Sequence, residues 1–441
     1  MTAVLLLLTV GICLTAIFRP WIGVLAYYLL AVMAPQSIWT WIFSDLRISM
    51  MVAASTLLGT MMGLATKRLS LAQVNHRFSY ALGIIFIFAN LSYVFTPYKN
   101  HPLPGNMLDP SAVLSIFNKA IIFYFIAAIC IDSKDKLKWM IYMLLGVFIY
   151  YTYWANKMYF SGLLWLYNSN GRLSGPQGLY IDENTFGMLF VVGSAFIYFM
   201  GLTFQKKVWR YGLWAVLPLL WHAIFLTESR GALVAMGCVA IFIAIRSRSK
   251  FIGAGVFVAF LAALVWQGQS VLQRTTQTAE VAEAGAEAVA DPRILSWTTG
   301  LKIMGDHPVL GAGFARFQQA SLEISNHYAY VAHNTFLQFA ANNGIICGVL
   351  YVLLFWWAYK IYLRYKRDLQ ARLSSDFYVA SLDAILGGLI GFFVSAVFLD
   401  LMIYEILYCC LALLLAWEHC FKTQLKTEAS ELDKESKVAK D

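Results

Sequence analysis

The stretch AYVAHNTFLQFAANNGIICG, Ala329 to Gly348, begins polar and turns into an apolar run, and His333 and Asn334 stand at the change. Histidine is the commonest general base and titrates near neutral pH, so an imidazole at such a lip could take a proton from a hydroxyl. A histidine at a helix start also serves as a hydrogen-bonded structural residue, and position alone does not separate the two. The other six histidines mark no helix mouth so clearly. His76 and His419 lie in basic segments, His222 lies within an apolar run, and His101, His307 and His327 lie between runs. The sequence holds no HxxxH, HExxH or DxD spacing, so a bound metal is not expected.

Four arginines are the second chemical signal. Arg230 sits in LTESRGALVAM, between two apolar runs with almost no loop. A charge near membrane depth costs free energy unless paired, so Arg230 reads as a functional cation, an ion-pair partner of Glu228 or a snorkelling anchor. Arg172 lies in NGRLSGPQGLYIDEN with Asp182, Glu183 and Asn184, Arg293 in DPRILSW and Arg316 in GAGFARF. Each alone suits a solvated surface. Converging, they would suit phosphate, because guanidinium forks match phosphate oxygens in bidentate geometry and stay charged. A lipid diphosphate at the outer leaflet is the natural ligand for such a set. The acids Asp383, Asp400 and Glu405 lie in or between the last two apolar runs. They would serve a proton-coupled transporter, cap helix ends or pair with arginines.

These residues need a membrane to position them. Of 441 residues 60% are hydrophobic and 13% charged, with a mean hydropathy of +0.65, against about half apolar and a quarter charged in soluble domains. The composition predicts an all-α polytopic membrane protein of about 12–13 transmembrane helices. The runs fall near 2–18, 21–35, 48–65, 80–95, 116–131, 138–155, 184–203, 211–227, 231–245, 251–267, 337–359, 376–398 and 401–418. The first residues carry neither a basic n-region nor a cleavage site, so they read as a retained span. The net charge of +9 raises nucleic acid as a partner, but the basic residues cluster in alternate loops. One set of loops, with the C-terminal tail, carries 23 Lys and Arg and the other carries 10, which predicts that the first set is cytoplasmic. That assignment gathers 156–183, 227–230 and 268–333 on the far side. The chain divides into N-terminal transmembrane helices (1–267), one long extracytoplasmic loop containing helices (268–332), C-terminal transmembrane helices (333–421) and a charged tail (422–441) expected to lack structure. The seven cysteines form no CxxC pair and read as small buried residues.

Four motifs, matching also in their order along the chain, resemble the O-antigen ligase and polymerase superfamily. They are S-R-G-A from Ser229 to Ala232, R-x-x-G-x6-D-x-N from Arg172 through Asp182 to Asn184, D-H-P-x-x-G-x-G from Asp306 to Gly313, and H-N-x-x-L-x6-G-I from His333 to Ile345. The resemblance implies a GT-C-like, inverting, metal-independent glycosyltransferase without cofactor, nucleotide or nucleic acid. Its donor would be an undecaprenyl-diphosphate-linked glycan and its acceptor lipid A–core, at the periplasmic face of the bacterial inner membrane, within membrane lipid. It implies His333 as the catalytic base. Arg230 would hold the diphosphate with Arg172 and Arg293, and Asn334, Asp182, Asn184 and Glu228 would support the site. Polymerases and protein-glycosylating ligases share the motifs. A lipid-linked sugar transporter is the rival from another class, although no internal repeat is evident.

Overall fold

In a computed structural model the chain is described over residues 2–438, apart from 44–46, 102, 104, 106, 165–167, 170–171, 177, 248, 268–291, 326–328 and 374. It is almost wholly helical. The N-terminal half holds α1 (Thr2–Phe18), α2 (Pro20–Tyr28), the one-turn α3 (Pro35–Ile38) and α4 (Thr40–Phe43), then α5 (Ile48–Ala65), α6 (Arg77–Val94), α7 (Pro110–Cys130) and α8 (Lys134–Phe160). A two-residue hairpin, β1 (Asn168–Ser169) with β2 (Arg172–Leu173), leads into α9 (Glu183–Gly201). There follow α10 (Lys207–Trp214), α11 (Val216–Leu226), α12 (Arg230–Arg246) and α13 (Lys250–Gln267). Two helices of the long polar segment come next, α14 (Pro292–Asp306) and α15 (Phe317–Ile324). The chain closes with α16 (Thr335–Asn343), α17 (Ile345–Gln370), α18 (Phe377–Ala396) and α19 (Glu405–Val438).

Among the described residues eight helices are long and apolar enough to cross a membrane. At 1.5 Å per residue the 21 residues of α7 extend about 32 Å, against roughly 30 Å of bilayer hydrocarbon. The other expected runs form helices too, but α1 and α12 have 17 residues each, and α8 carries charge at both ends. The bundle is layered by burial. In α9 94% of the membrane-length window is buried, and in α18 and α19 83%, whereas α5 and α17 bury 33%. Helices apolar all round belong in a core or in lipid, and α9 and α18 take the core. They pack along each other, with α12 against both.

Two expected continuous runs are broken. The 211–227 run divides at Ala215 into α10 and α11. With its N-cap, α10 carries Lys206, Lys207 and Arg210 beside exposed Val208, Trp209 and Tyr211, the pattern of a helix lying in the membrane interface. The 337–359 run breaks at Gly344, whose φ of +94° and ψ of 155° only glycine adopts readily. A Cβ there would lie 1.9 Å from the carbonyl oxygen of Val309. The broken backbone is satisfied by the 306–313 motif: Ala312 N donates to Ala341 O (2.8 Å), Gly313 N to Asn342 O (3.1 Å) and Ile345 N to Pro308 O (3.0 Å). Non-helical backbone at membrane depth survives only where such partners exist. The tail differs from expectation. Instead of lacking structure it continues α19 to Val438, tied back by Arg372 Nη2 to Glu428 (2.5 Å) and by Gln424 to Glu428 (2.8 Å), one turn apart. Of the long polar segment, TAEVAEAGAEAVAD lies within 268–291, outside the described residues, while 292–332 holds α14 and α15.

Candidate functional site

The site is built around the connection 397–404 between α18 and α19, a short non-helical stretch that four other segments meet. Thr335 Oγ1 donates to Leu399 O (2.7 Å) and accepts from Leu401 N (3.0 Å). Met402 N donates to Gln338 Oε1 (3.2 Å). These bonds dock the first turn of α16 onto the connection and fix the residues just before it, His333 and Asn334. The Tyr404 hydroxyl donates to Leu179 O (2.9 Å), joining the segment that precedes α9. The Phe398 ring faces two of the expected arginines' elements. A Cβ added to Gly231 would lie 3.3 Å from it, and the Arg293 guanidinium carbon is 6.0 Å from its centroid.

His333 is half-buried and takes a left-handed conformation, φ +47°, sparsely populated by residues other than glycine. Strain of this kind costs about 1–3 kcal/mol and persists where surrounding structure over-determines it. Here the determinants sit on both sides: Asn334 caps α16, its side-chain oxygen accepting from Leu337 N (3.1 Å), and Asp400 faces the main-chain N–H groups of His333 and Asn334. Burial pushes the Asp400 carboxyl up to about 7, those two N–H groups hold it down, and nearby Asp182 raises it again. Its Oδ1 is shielded from solvent without a hydrogen-bond partner among the described residues. Asp400 also lines a cavity of about 320 Å³ together with Gln338, Asn342, Phe317 and Tyr404.

The arginines separate into different situations. Arg230 is the first residue of α12, follows its N-cap Ser229, whose hydroxyl accepts from Ala232 N (3.3 Å), and is exposed. It has no acidic partner among the described residues; Glu228, at φ +47°, forms the tight turn before it. Arg293 is half-buried at the start of α14. Arg172 is engaged by its own chain: Nε donates to Thr227 O (3.0 Å), Nη2 to Asn184 Oδ1 (2.8 Å), and Nη1 pairs with Glu183. Asp182 caps α9, accepting from Thr185 N (2.8 Å). Arg172, Glu183 and Asn184 thus clamp the α9 start to the 227–230 turn that presents Arg230. Arg316, buried, turns inward to Gln319 (2.7 Å).

The in-membrane acids also part ways. Asp383 receives a bidentate pair from Arg246 (2.8 and 3.1 Å), Glu405 accepts from the Tyr27 hydroxyl (3.0 Å), and only Asp400 reaches His333. No motif marks Asp400. Its one signal in the sequence is an acid between two apolar runs.

Fold and site together define a multi-pass helical membrane protein with a half-buried histidine, a titratable acid, an exposed Arg230 and a half-buried Arg293 gathered at one helix connection. A family model described as O-antigen ligase matches residues 214–352, a stretch that holds Arg230, Arg293 and His333. Over residues 214–352 the chain is similar to the O-antigen ligase family, and the match supports membership of a superfamily of glycosyltransferase-like ligases and polymerases. No curated protein matches the chain.

Proposed function

We propose that this protein is an O-antigen ligase, transferring a glycan from undecaprenyl diphosphate to a hydroxyl of lipid A–core at the periplasmic face of the inner membrane, by an inverting and metal-independent route. The single observation that carries the reading is the convergence of His333, the Arg230-bearing start of α12 and Arg293 on the 397–404 connection. The acceptor oxygen attacks the anomeric carbon as the bond from that carbon to the diphosphate oxygen breaks, and the configuration inverts. The hydroxyl proton passes to the neutral imidazole of His333, and the leaving diphosphate keeps the bonding pair. Arg230, exposed and without an acidic partner among the described residues, and Arg293 neutralise that charge in a partly desolvated site. Arg172 acts by positioning: its three hydrogen-bonded nitrogens hold the turn before Arg230. Asp400, facing the backbone of His333, fixes the imidazole's approach and, when ionised, stabilises the imidazolium that forms.

The test is direct. Purified protein is mixed with an undecaprenyl-diphosphate glycan and lipid A–core, with chelator and without nucleotide, and lipid A–core is followed by gel shift. The wild type is expected to shift it, while His333→Ala and Arg230→Ala are not. If the wild type binds both lipids yet shifts nothing, the acceptor is wrong, and the polymerase and protein-glycosylating readings take over. A shift retained at full rate by His333→Ala removes the general-base role. Transport, in place of transfer, would show as gradient-dependent movement of lipid-linked sugar in vesicles with no new glycosidic bond.

A further inference from the structure

The far end of α12 holds a second built site that the proposed reaction does not use. From Arg230 to Arg246 the helix extends about 24 Å, most of a bilayer's hydrocarbon thickness. There two adjoining cavities of about 380 and 400 Å³ share Arg246 and Tyr362. The first is apolar, walled by Phe242 of α12, Phe355 of α17, and Leu389 and Phe393 of α18. The second is polar and holds Arg210, Arg246, Lys366 and Asp383. The two follow one groove between α17 and α18, from Phe393 to Val379 along α18, about 21 Å.

Charge at the polar end is unbalanced. Arg246 is neutralised by Asp383 and steadied by the Tyr362 hydroxyl (2.9 Å), with its guanidinium carbon 4.7 Å from the Tyr362 ring centre. Arg210 and Lys366 have no acidic partner among the described residues, which leaves the lining at net +2. Arg210 donates through Nη2 to Phe204 O (2.9 Å) and Leu202 O (3.3 Å), while its Nε is shielded from solvent and unpartnered among the described residues. A desolvated guanidinium N–H without an acceptor is costly and calls for an anion. Arg210 also stands on α10, whose exposed basic and aromatic residues suit a membrane interface. The apolar half, Phe355 to Tyr362 along α17, is about 10 Å deep, within the roughly 15 Å of one leaflet's hydrocarbon.

We infer that this groove binds an anionic phospholipid, its phosphate on Arg210 and Lys366 and one acyl chain in the channel between Phe242, Phe355 and Phe393. The Arg246–Asp383 pair forms the collar between head and tail. Such a lipid ties α10 to α12, α17 and α18 at the end of the bundle away from the histidine.

The full chain in neutral detergent is incubated with phosphatidylglycerol or phosphatidylcholine, and retained lipid is read by native mass spectrometry. Phosphatidylglycerol is expected to be retained at least about tenfold better, a preference that Arg210→Gln with Lys366→Gln abolishes, each cation near an anionic headgroup counting for roughly fivefold. Leu389→Trp, which fills the channel, lowers retention of both lipids. Wild-type protein alone supplies a second reading. A phosphatidylglycerol with a diazirine on its acyl chain should label peptides 355–362 and 386–393 above all other helices. Equal retention of the two lipids, labelling spread evenly over the outer helices, or thermal stabilisation by inorganic phosphate equal to that by the lipid would each overturn the inference.

Discussion

Asp400→Asn offers the sharpest test of the site. The carboxyl is held at about 7 by burial, against about 3.9 for an exposed aspartate. The sign follows from proton binding. Between those two values the folded protein holds a proton that the unfolded chain has lost, so stability falls as pH rises through that window. Its contribution is unpenalised below about pH 4 and reaches a loss of roughly 4 kcal/mol above pH 7. Between pH 5 and pH 8 the wild type should therefore lose about 2–3 kcal/mol from this group, and Asp400→Asn should lose none of it. The assay is thermal unfolding in detergent at both pH values, with the wild type and the variant compared at each. The variant is expected to be the more stable at pH 8 by a few degrees, with the gap shrinking at pH 5, yet to ligate at least about tenfold more slowly at pH 8. A gap that stays constant between the two pH values would show that Asp400 titrates as an ordinary surface acid. The account of how His333 is held would then fail.

The remaining residues give contrasting outcomes. His333→Asn should fold as well as the wild type, because asparagine tolerates the left-handed backbone at φ +47°, while ligation falls by about 10²–10⁴ in the gel-shift assay. Arg230→Ala, at an exposed position, should leave the melting temperature within the equivalent of about 0.5 kcal/mol and lower the ligation rate by about 10²-fold or more. Arg172→Ala should do the reverse in emphasis: it strands half-buried Glu183 and costs on the order of 1–3 kcal/mol, seen as a lower unfolding midpoint whether or not donor lipid is present. Gly344→Val should prevent recovery of monodisperse protein, since its Cβ has no space beside Val309 O and its backbone angles suit glycine alone.

The membrane class, the helix positions and the family were legible in the sequence, because each depends on local quantities. Apolar run length predicts a span whatever it packs against, and short motifs such as His333-Asn334 or Ser229-Arg230 survive as strings. The breaks at Ala215 and Gly344 were not legible. An apolar run reads as continuous unless one knows that the 306–313 loop will bond the interrupted backbone, and that contact joins residues some thirty positions apart. Roles among the arginines were equally hidden. Arg172 and Arg230 look alike as cations in polar turns, and only burial and partners separate the clamp from the exposed charge. The same holds for the acids: Asp383, Asp400 and Glu405 share a setting in the sequence, yet meet Arg246, His333 and Tyr27 respectively. The sequence by itself determined which segments enter the membrane and which chemical groups are on hand. Tertiary structure alone decided which of those groups meet, because at buried polar positions free energy depends on the partner, and the partners come from distant parts of the chain.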